Sequence, residues 1–235
     1  MSRRAAEEQI RLGKVRVNGR VANIGDSIEA GVDVVEFNGS IIIPKCDEKL
    51  CIMLHKPRGY VTTMSDEKGR KNVSMLVSDL NVRVYPIGRL DMDSEGLLLL
   101  TNDGQLAEKL THPKHDIPKI YHVTVKGQVI DRQIEELSAP MVIDGYKIMP
   151  VKVTRLNTAE RDPRFTELEM TLFEGRNRQI RKMCEGVSLS IHRLKRVAIG
   201  NLRLGSLPVG RWRRLSKTEL QYLKTSNTSK GTNKK

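Results

Sequence analysis

Aromatic residues are scarce in this sequence, where phenylalanine, tyrosine and tryptophan together make up 4% of the 235 residues. Proteins that bind single-stranded nucleic acid on a broad stacking surface need a series of exposed rings along the groove. We therefore do not expect a broad base-stacking surface in this protein.

Cysteine is also rare, and the three cysteines, Cys46, Cys51 and Cys184, form no Cys-x-x-Cys pair. An odd number without paired spacing argues against a disulfide framework and against a zinc site. Long apolar runs are lacking as well: the first residues have no signal-peptide segment, and no run approaches the ~20 residues of a membrane helix. These features are typical of reduced thiols in a cytoplasmic protein, so we expect that location and no membrane contact.

Basic residues, in contrast, are in large excess. The sequence has 41 lysines and arginines against 28 acidic residues, which gives a net charge of +13. With 38% hydrophobic and 29% charged residues, the composition is that of a globular protein. So large a positive charge favours a polyanionic partner, either RNA or DNA, without indicating which.

A charged loop followed by an apolar run, at residues 86–104, is the centre of the sequence. The loop carries Arg89, Asp91, Asp93 and Glu95, and the apolar run at residues 97–101 has the length of a buried strand. One interpretation is a solvated turn in which the aspartates bind nearby backbone N–H groups.

Two functional interpretations compete with that turn. A calcium loop of the EF-hand type requires a glutamate at its twelfth position, where this sequence has Asn102, so calcium is not favoured. The other interpretation is a single catalytic carboxylate, Asp91, whose charged form Arg89 would favour for use as a nucleophile or base.

A resemblance to a known family distinguishes these interpretations. The run Gly88-Arg89-Leu90-Asp91 resembles the central motif of the pseudouridine synthases, and its flanks resemble the ribosomal RNA branch, the RsuA-like and RluB-like enzymes. Residues 55–63 resemble the first family motif, residues 119–125 the second, and residues 177–183 the third. The first motif is expected to support the active-site loop and to supply no catalytic residue.

The resemblance implies a role for individual residues. It implies that Asp91 is the catalytic residue, that Tyr121 lies against the target nucleotide, and that Arg181 pairs with the catalytic carboxylate. Ile180 would line the pocket. Without the resemblance, Tyr121 would be interpreted as a core tyrosine. The third motif alone would be a phosphate-binding helix on which residues 178 and 181 share one face.

Further residues are expected to bind the RNA. Arg89 would fill the space that the flipped base leaves or would bind a phosphate, and Arg178 and Asn177 would contact the RNA near the pocket. No cofactor and no metal are expected, because the isomerisation of uridine involves neither redox chemistry nor group transfer.

The N-terminal residues resemble the S4 RNA-binding domain, with a basic helix, an alternating segment at residues 15–17 and an Asn-Gly turn. The family's domain begins with one more helix ahead of this point, so we expect a module that is truncated at its N-terminus. The basic residues expected to contact RNA are Arg3, Arg4, Arg11, Lys14 and Arg16.

The expected architecture is an α+β protein with a small S4-like module followed by a larger domain. That domain would contain a mixed, mostly antiparallel sheet flanked by helices, because long strands follow one another without the alternation of βαβ units. The expected boundaries are residues 1–44 for the module, 45–49 for a linker, 50–224 for the catalytic domain and 225–235 for a disordered basic tail.

The sequence thus predicts an rRNA pseudouridine synthase, an isomerase that acts as a monomer. Its expected partner is ribosomal RNA, with the large-subunit (23S) RNA or an assembly intermediate favoured over the small-subunit RNA. The alternative is a non-catalytic S4-type RNA-binding or ribosome-assembly protein. Which uridine is modified, and whether Asp91 attacks C1′ or removes the C2′ proton, is left open by the sequence.

Overall fold

The chain divides into two units, Met1–Glu48 and Lys49–Lys235. The structure, a computed structural model, describes residues 1, 3–29, 31–42, 48–111, 117–156 and 162–225. Most of the expected linker at 45–49 and all but the first residue of the expected tail at 225–235 therefore lie outside the described residues.

The first unit is a helix followed by two short hairpins. Its elements are α1 (Arg3–Arg11), β1 (Val15–Val17), β2 (Arg20–Val21), β3 (Val35–Phe37) and β4 (Ser40–Ile41), and the strand order is β2-β1-β3-β4. Each hairpin closes on an Asn-Gly pair with positive φ at both positions, as at Asn18 (50°) and Gly19 (79°). Such turns match the right-handed twist of the strands that they join.

The second unit is organised around one large sheet. Its elements are β5 (Cys51–Lys56), a 3-10 helix (Val73–Val77), β6 (Tyr85–Ile87), β7 (Glu95–Thr101), α2 (Gly104–Thr111), β8 (Lys119–Lys126), α3 (Asp131–Ser138), β9 (Val142–Ile143), β10 (Tyr146–Lys147), β11 (Lys152–Arg155), β12 (Phe165–Leu172), α4 (Gln179–Gly186), β13 (Ile191–Ile199), β14 (Leu202–Arg203), β15 (Trp212–Arg214) and α5 (Lys217–Thr225).

The order of the main strands is β11-β12-β8-β13-β7-β5-β15, with β14 on β13 and β6 on β7. Among the described strand pairs of this sheet, β13 with β7 is parallel and the others are antiparallel. The predicted α+β class with a mixed, mostly antiparallel sheet is therefore confirmed.

Two central strands, β5 and β7, are buried along their whole length. Successive side chains of a strand point to opposite faces, and both faces are covered here. Leu97 and Leu99 pack into one hydrophobic cluster with α2 and α5, whereas Leu98 and Leu100 pack into another with the 3-10 helix. The uninterrupted apolar run in the sequence is explained by this double coverage.

Residues 146–155 form two short strands that belong to different sheets. The strand β10 pairs with β9 in a separate two-stranded sheet, whereas β11 joins the main sheet. Pro150 lies between them, and proline has no N–H to donate to a ladder.

Within the described part of the chain, no helix has both the length and the hydrophobicity that crossing a membrane would require.

Candidate active site

A cleft of about 400 Å³ opens on the face of the main sheet that carries α4. Its walls come from the loop before β7, from β8 and β13, and from the segment that leads into α4. The cleft brings together all the residues that the sequence predicted for the site in the second unit: Asp91, Tyr121, Arg181, Arg89, Asn177, Arg178 and Ile180.

Asp91 lies on a tight loop directly before the buried strand β7. The loop turns back on itself where the Ser94 N–H donates to the carbonyl of Asp91 at 3.1 Å. The Asp91 side chain is partly exposed, whereas Ser94 and Glu95 are buried at the start of the strand. The carboxylate of Asp91 therefore lies at the cleft, on a loop whose end is anchored in the buried core.

The first family motif holds this loop from below. The hydroxyl of Thr62 donates to the carbonyl of Leu90 at 2.6 Å, and the Leu90 N–H donates back to it at 3.2 Å. The Gly59 N–H donates to the carbonyl of Met92 at 2.7 Å. These bonds join residues 59 and 62 to the loop that carries Asp91, as the supporting role expected for this motif requires.

Lys56 makes the deepest of these contacts. Its side chain has an exposure of 0%, and its Nζ donates to the carbonyls of Pro57, Asp91 and Ser94 at 3.0, 3.0 and 2.8 Å. An ammonium group has three N–H donors, so all three are used. Burial lowers the pKa of Lys56 to about 8, while the carboxylates of Asp91 and Asp93 act in the opposite direction.

Two arginines from the third motif reach the loop from the other side. Arg178 Nη1 lies 3.7 Å from Asp91 Oδ2 and 3.4 Å from Asp93 Oδ2. Arg181 Nη2 lies 3.2 Å from Asp93 Oδ2, and it also donates to the Asp93 carbonyl and to Ser94 Oγ. Both guanidinium groups therefore converge on Asp93.

Two expectations about these arginines are wrong in detail. Arg181 was expected to pair with Asp91, but its side chain lies against the end of the loop and pairs with Asp93. Arg178 was expected to share a helix face with Arg181, yet it precedes α4 as the N-cap residue with a left-handed φ of 51°. Because Arg178 lies outside the helix, its side chain does not follow the direction that helical spacing predicts, and its guanidinium lies near Asp91.

Tyr121 projects from β8 into the cleft and packs against two of the hydrophobic clusters. Its hydroxyl accepts a hydrogen bond of 3.5 Å from Arg196 Nη1. Arg196 is buried, and its Nε donates to the carbonyl of Leu97 at 2.8 Å, whereas its Nη2 has no hydrogen-bond partner among the described residues. Arg196 thus links the tyrosine to β7, the strand that follows the Asp91 loop.

The sequence interpretation missed Arg196. Along β13, Leu194, Arg196 and Ala198 are buried at alternate positions. Period-two alternation would have placed this arginine on the apolar face of the strand, where a charged residue calls for an explanation. The interpretation also assigned no individual role to Lys56. A lysine next to a proline turn is normally exposed, so the pattern of residue types does not predict that this one is buried.

Gly96 occupies the closest approach of two strands at this site. It pairs with Arg196 across the parallel β7–β13 contact and with Lys56 across β5–β7. Its φ is 110°, and a Cβ at this position would lie 2.2 Å from the carbonyl oxygen of Arg196. The loop therefore joins the sheet at a point where a side chain does not fit.

The remaining predicted residues belong to the first unit and are considered within it. Arg3, Arg4, Arg11, Lys14 and Arg16 are all exposed. Some make local contacts: Arg3 pairs with Glu7 at 3.1 Å, and Arg16 donates to the carbonyl of Gly19 at 2.9 Å. Solvent-exposed pairs of this kind are weak, so a polyanion can replace the acidic partner and bind these charges.

Comparisons with known families match both units. Residues 50–186 match the family model described as RNA pseudouridylate synthase, and residues 2–34 match the S4 domain model.

Individual proteins are similar along nearly the whole chain. A Bacillus subtilis (strain 168) protein named ribosomal large subunit pseudouridine synthase B is 39% identical, with 95% of this chain and 90% of the relative covered. The dual-specificity RNA pseudouridine synthase RluF of Escherichia coli (strain K12) is 40% identical, with 93% and 72% covered. A crystal structure of a pseudouridylate synthase aligns with a TM-score of 0.67 and 27% identity, covering 95% of this chain and 94% of the other.

Proposed function

The chain belongs to the RNA pseudouridylate synthase family, and we propose that it converts a uridine of ribosomal RNA to pseudouridine with Asp91 as the catalytic residue. The observation that carries this proposal is the convergence of Asp91, Tyr121 and two arginines in one cleft. The name of the Bacillus subtilis relative supports the large-subunit RNA as the substrate.

The product of the reaction has the same atomic composition as uridine. The bond between C1′ and N1 of uridine breaks, the uracil turns, and a bond forms between C1′ and C5, from which a proton leaves while one is gained at N1. A single carboxylate can assist by attacking C1′ as N1 leaves, and C5 then displaces it from C1′. Alternatively, it can remove the C2′ proton as N1 leaves and return that proton when C5 bonds to C1′. Asp91 serves either route, since its oxygens face the cleft and Lys56 fixes its backbone from beneath.

The target base has to leave its stack before it can enter the cleft, at a cost of a few kcal/mol. In our proposal the ring of Tyr121 and the side chain of Ile180 hold the flipped base. Arg89, which is exposed at the edge of the cleft, fills the vacated space or binds a phosphate. Arg178 and Asn177 bind the RNA backbone beside the pocket.

Arg181 and Arg196 act as positioning residues in this scheme. Arg181 fixes the end of the Asp91 loop through Asp93 and Ser94, and Arg196 fixes the hydroxyl of Tyr121. A purely RNA-adhesive protein is less well supported, because the Asp91 carboxylate in a cleft lined by arginines repels phosphate and serves binding poorly.

The domain roles follow the two units. We propose that the S4 module binds the RNA backbone through Arg3, Arg4, Arg11, Lys14 and Arg16, and that the catalytic domain spans residues 50–224. The proposed working form is a cytoplasmic monomer.

Treatment of modified RNA with carbodiimide followed by primer extension tests the function. Purified protein incubated with unmodified large-subunit rRNA transcript should produce a stop at one or a few uridines that untreated transcript lacks. The rRNA from a strain that lacks the gene should have lost the same stop. Transcript that stays unmodified, together with an unchanged pattern in that strain, would contradict the proposal.

The activity should also fall as the pH rises through about 8, the pKa of Lys56. A neutral amine donates two hydrogen bonds where the ammonium donates three, so deprotonation leaves one of the three carbonyls without its hydrogen bond from Lys56.

The stability of the fold changes in the opposite direction to the activity. Between pH 8 and the ordinary value of 10.5 the unfolded chain binds more protons, so the unfolding free energy rises with pH.

A pH–rate profile from 6.5 to 9.5 measures this effect, and Lys56→Arg is the matched variant because its guanidinium does not titrate in this range. The charged groups around Lys56 are Asp91, Asp93, Glu95 and Arg196. The wild-type rate should decline above pH 8, and the folded Lys56→Arg protein should not show that decline. Identical profiles would assign the pH dependence to another group, such as the uracil.

A further inference from the structure

A small hairpin outside the main sheet is attached to the wall of the cleft. The strands β9 and β10 pair at Tyr146 with Ile143 and at Lys147 with Val142. After the hairpin, the Met149 N–H donates to Glu174 Oε1 at 2.9 Å, and within it Asp144 forms an ion pair with Lys182 of α4. Glu174 itself lines the cleft, so the hairpin is held against the segment that leads into α4.

The hairpin carries an exposed aromatic ring next to the cleft. Tyr146 is 44% exposed, and the guanidinium carbon of Arg176 lies 3.1 Å from the centre of its ring. Arg176 lines the cleft and is followed directly by Asn177 and Arg178. The ring of Tyr146 is therefore a neighbour of the pocket, although it does not line it.

The core does not account for this ring. Directly paired residues of two strands lie on the same face, and the partner of Tyr146, Ile143, is buried in a hydrophobic cluster that does not include Tyr146. An arginine stacked on an aromatic ring covers one face and holds the ring in place. In a sequence with 4% aromatic residues, an exposed and fixed ring beside the cleft requires a functional explanation.

We propose that Tyr146 and Arg176 form a platform on which one unpaired base, close to the flipped uridine, stacks. This inference rests on the proposed function, since it requires RNA in the cleft. Unpaired bases stack on aromatic rings and on guanidinium planes, and a base on the open side of the ring would complete an arginine–tyrosine–base stack.

Charge favours RNA as the occupant over an apolar protein segment. Exposed Lys147 follows Tyr146 directly, and Arg176 and Arg178 lie at the cleft. The carboxylates nearby are already paired: Glu174 with Arg176 at 3.5 Å, and Asp144 with Lys182. A nucleotide that stacks on the ring therefore places its phosphate among cations.

Variants of the hairpin separate stacking from folding. Tyr146→Ala removes the ring, Tyr146→Phe keeps it, and Val142→Ala trims a side chain that is 69% exposed on the opposite face of the same hairpin. The probe is a fragment of large-subunit rRNA that contains the modified uridine. Its Kd is measured by filter binding, and its modification rate in single turnover with saturating enzyme.

Tyr146→Ala should raise the Kd by about five- to one-hundredfold, the range for loss of one base stack, and should change the saturated rate less. Tyr146→Phe and Val142→Ala should stay within about twofold of wild type. The adenine analogue 2-aminopurine, placed in turn at unpaired positions near the target, should be quenched by wild type at one position and not by Tyr146→Ala.

Three results would overturn the platform. These are unchanged binding by Tyr146→Ala, an equal loss in Tyr146→Phe, and an equal loss in Val142→Ala, which would indicate a damaged hairpin. Failure of the proposed function is distinguishable, because wild-type protein would then form no pseudouridine in any large-subunit transcript. Failure of the platform alone leaves pseudouridine formation by wild type intact and the Kd of Tyr146→Ala unchanged.

Discussion

Replacing Asp91 with asparagine should abolish pseudouridine formation while RNA binding stays within a few-fold of wild type. The amide has nearly the same shape but can neither attack C1′ nor accept the C2′ proton. Removal of a catalytic base alone costs at least about a hundredfold in rate. The loop should keep its conformation, because Lys56, Thr62 and Gly59 bind its backbone and do not contact the carboxylate of Asp91.

Asp93→Asn is the matched control. The Asp93 carboxylate lies on the same loop and contacts Arg178 and Arg181, and its carbonyl also accepts from Arg181. Its loss should loosen the loop and lower the rate by about tenfold, since a charged hydrogen bond is weakened and not removed. An active Asp91→Asn enzyme would refute the assignment, and an inactive Asp93→Asn beside it would transfer the catalytic role to Asp93.

Gly96→Ala should cause a large loss of stability. The new Cβ would lie 2.2 Å from the oxygen and 2.7 Å from the nitrogen of Arg196, and both are backbone atoms that no rotamer change can move. Strands β7 and β13 would have to separate, and the left-handed φ adds strain. We expect the unfolding free energy to fall by at least about 3 kcal/mol, in the range of the most severe substitutions.

Denaturant unfolding followed by circular dichroism measures this loss, with Gly127→Ala as the control. Gly127 also has a positive φ, 81°, but nothing lies within 4 Å of its would-be Cβ. Its substitution should therefore cost only the conformational strain, about 1 kcal/mol. If Gly96→Ala were no worse than Gly127→Ala, the close contact between the strands would not be a constraint on this residue.

The parts of the site that follow from strand periodicity could be predicted from the sequence. The apolar run at residues 97–101 predicted the buried strand. In a strand, side chains two residues apart share a face, which puts Tyr121 beside Val123 and Val125. The resemblance of four separated motifs then indicated which residues share a cleft. These predictions depend on backbone patterns that recur along a chain.

The partners of individual charged side chains could not be predicted in the same way. Which carboxylate Arg181 meets depends on the turn between Asp91 and Ser94, and Arg178 reaches Asp91 because its own φ is positive, which is uncommon for a residue other than glycine. The three bonds of Lys56 are to backbone carbonyls, which no pattern of residue types reveals.

The double coverage of β7 also bears on how rigidly Asp91, the proposed catalytic residue, is held. A slip of one residue along β5 would exchange the leucines of the two clusters, so the alignment of these strands is unique. We expect the amides of this strand to exchange with solvent only when the whole domain opens. We therefore expect Asp91, on the loop that directly precedes the strand, to be held in place in the folded protein before RNA binds.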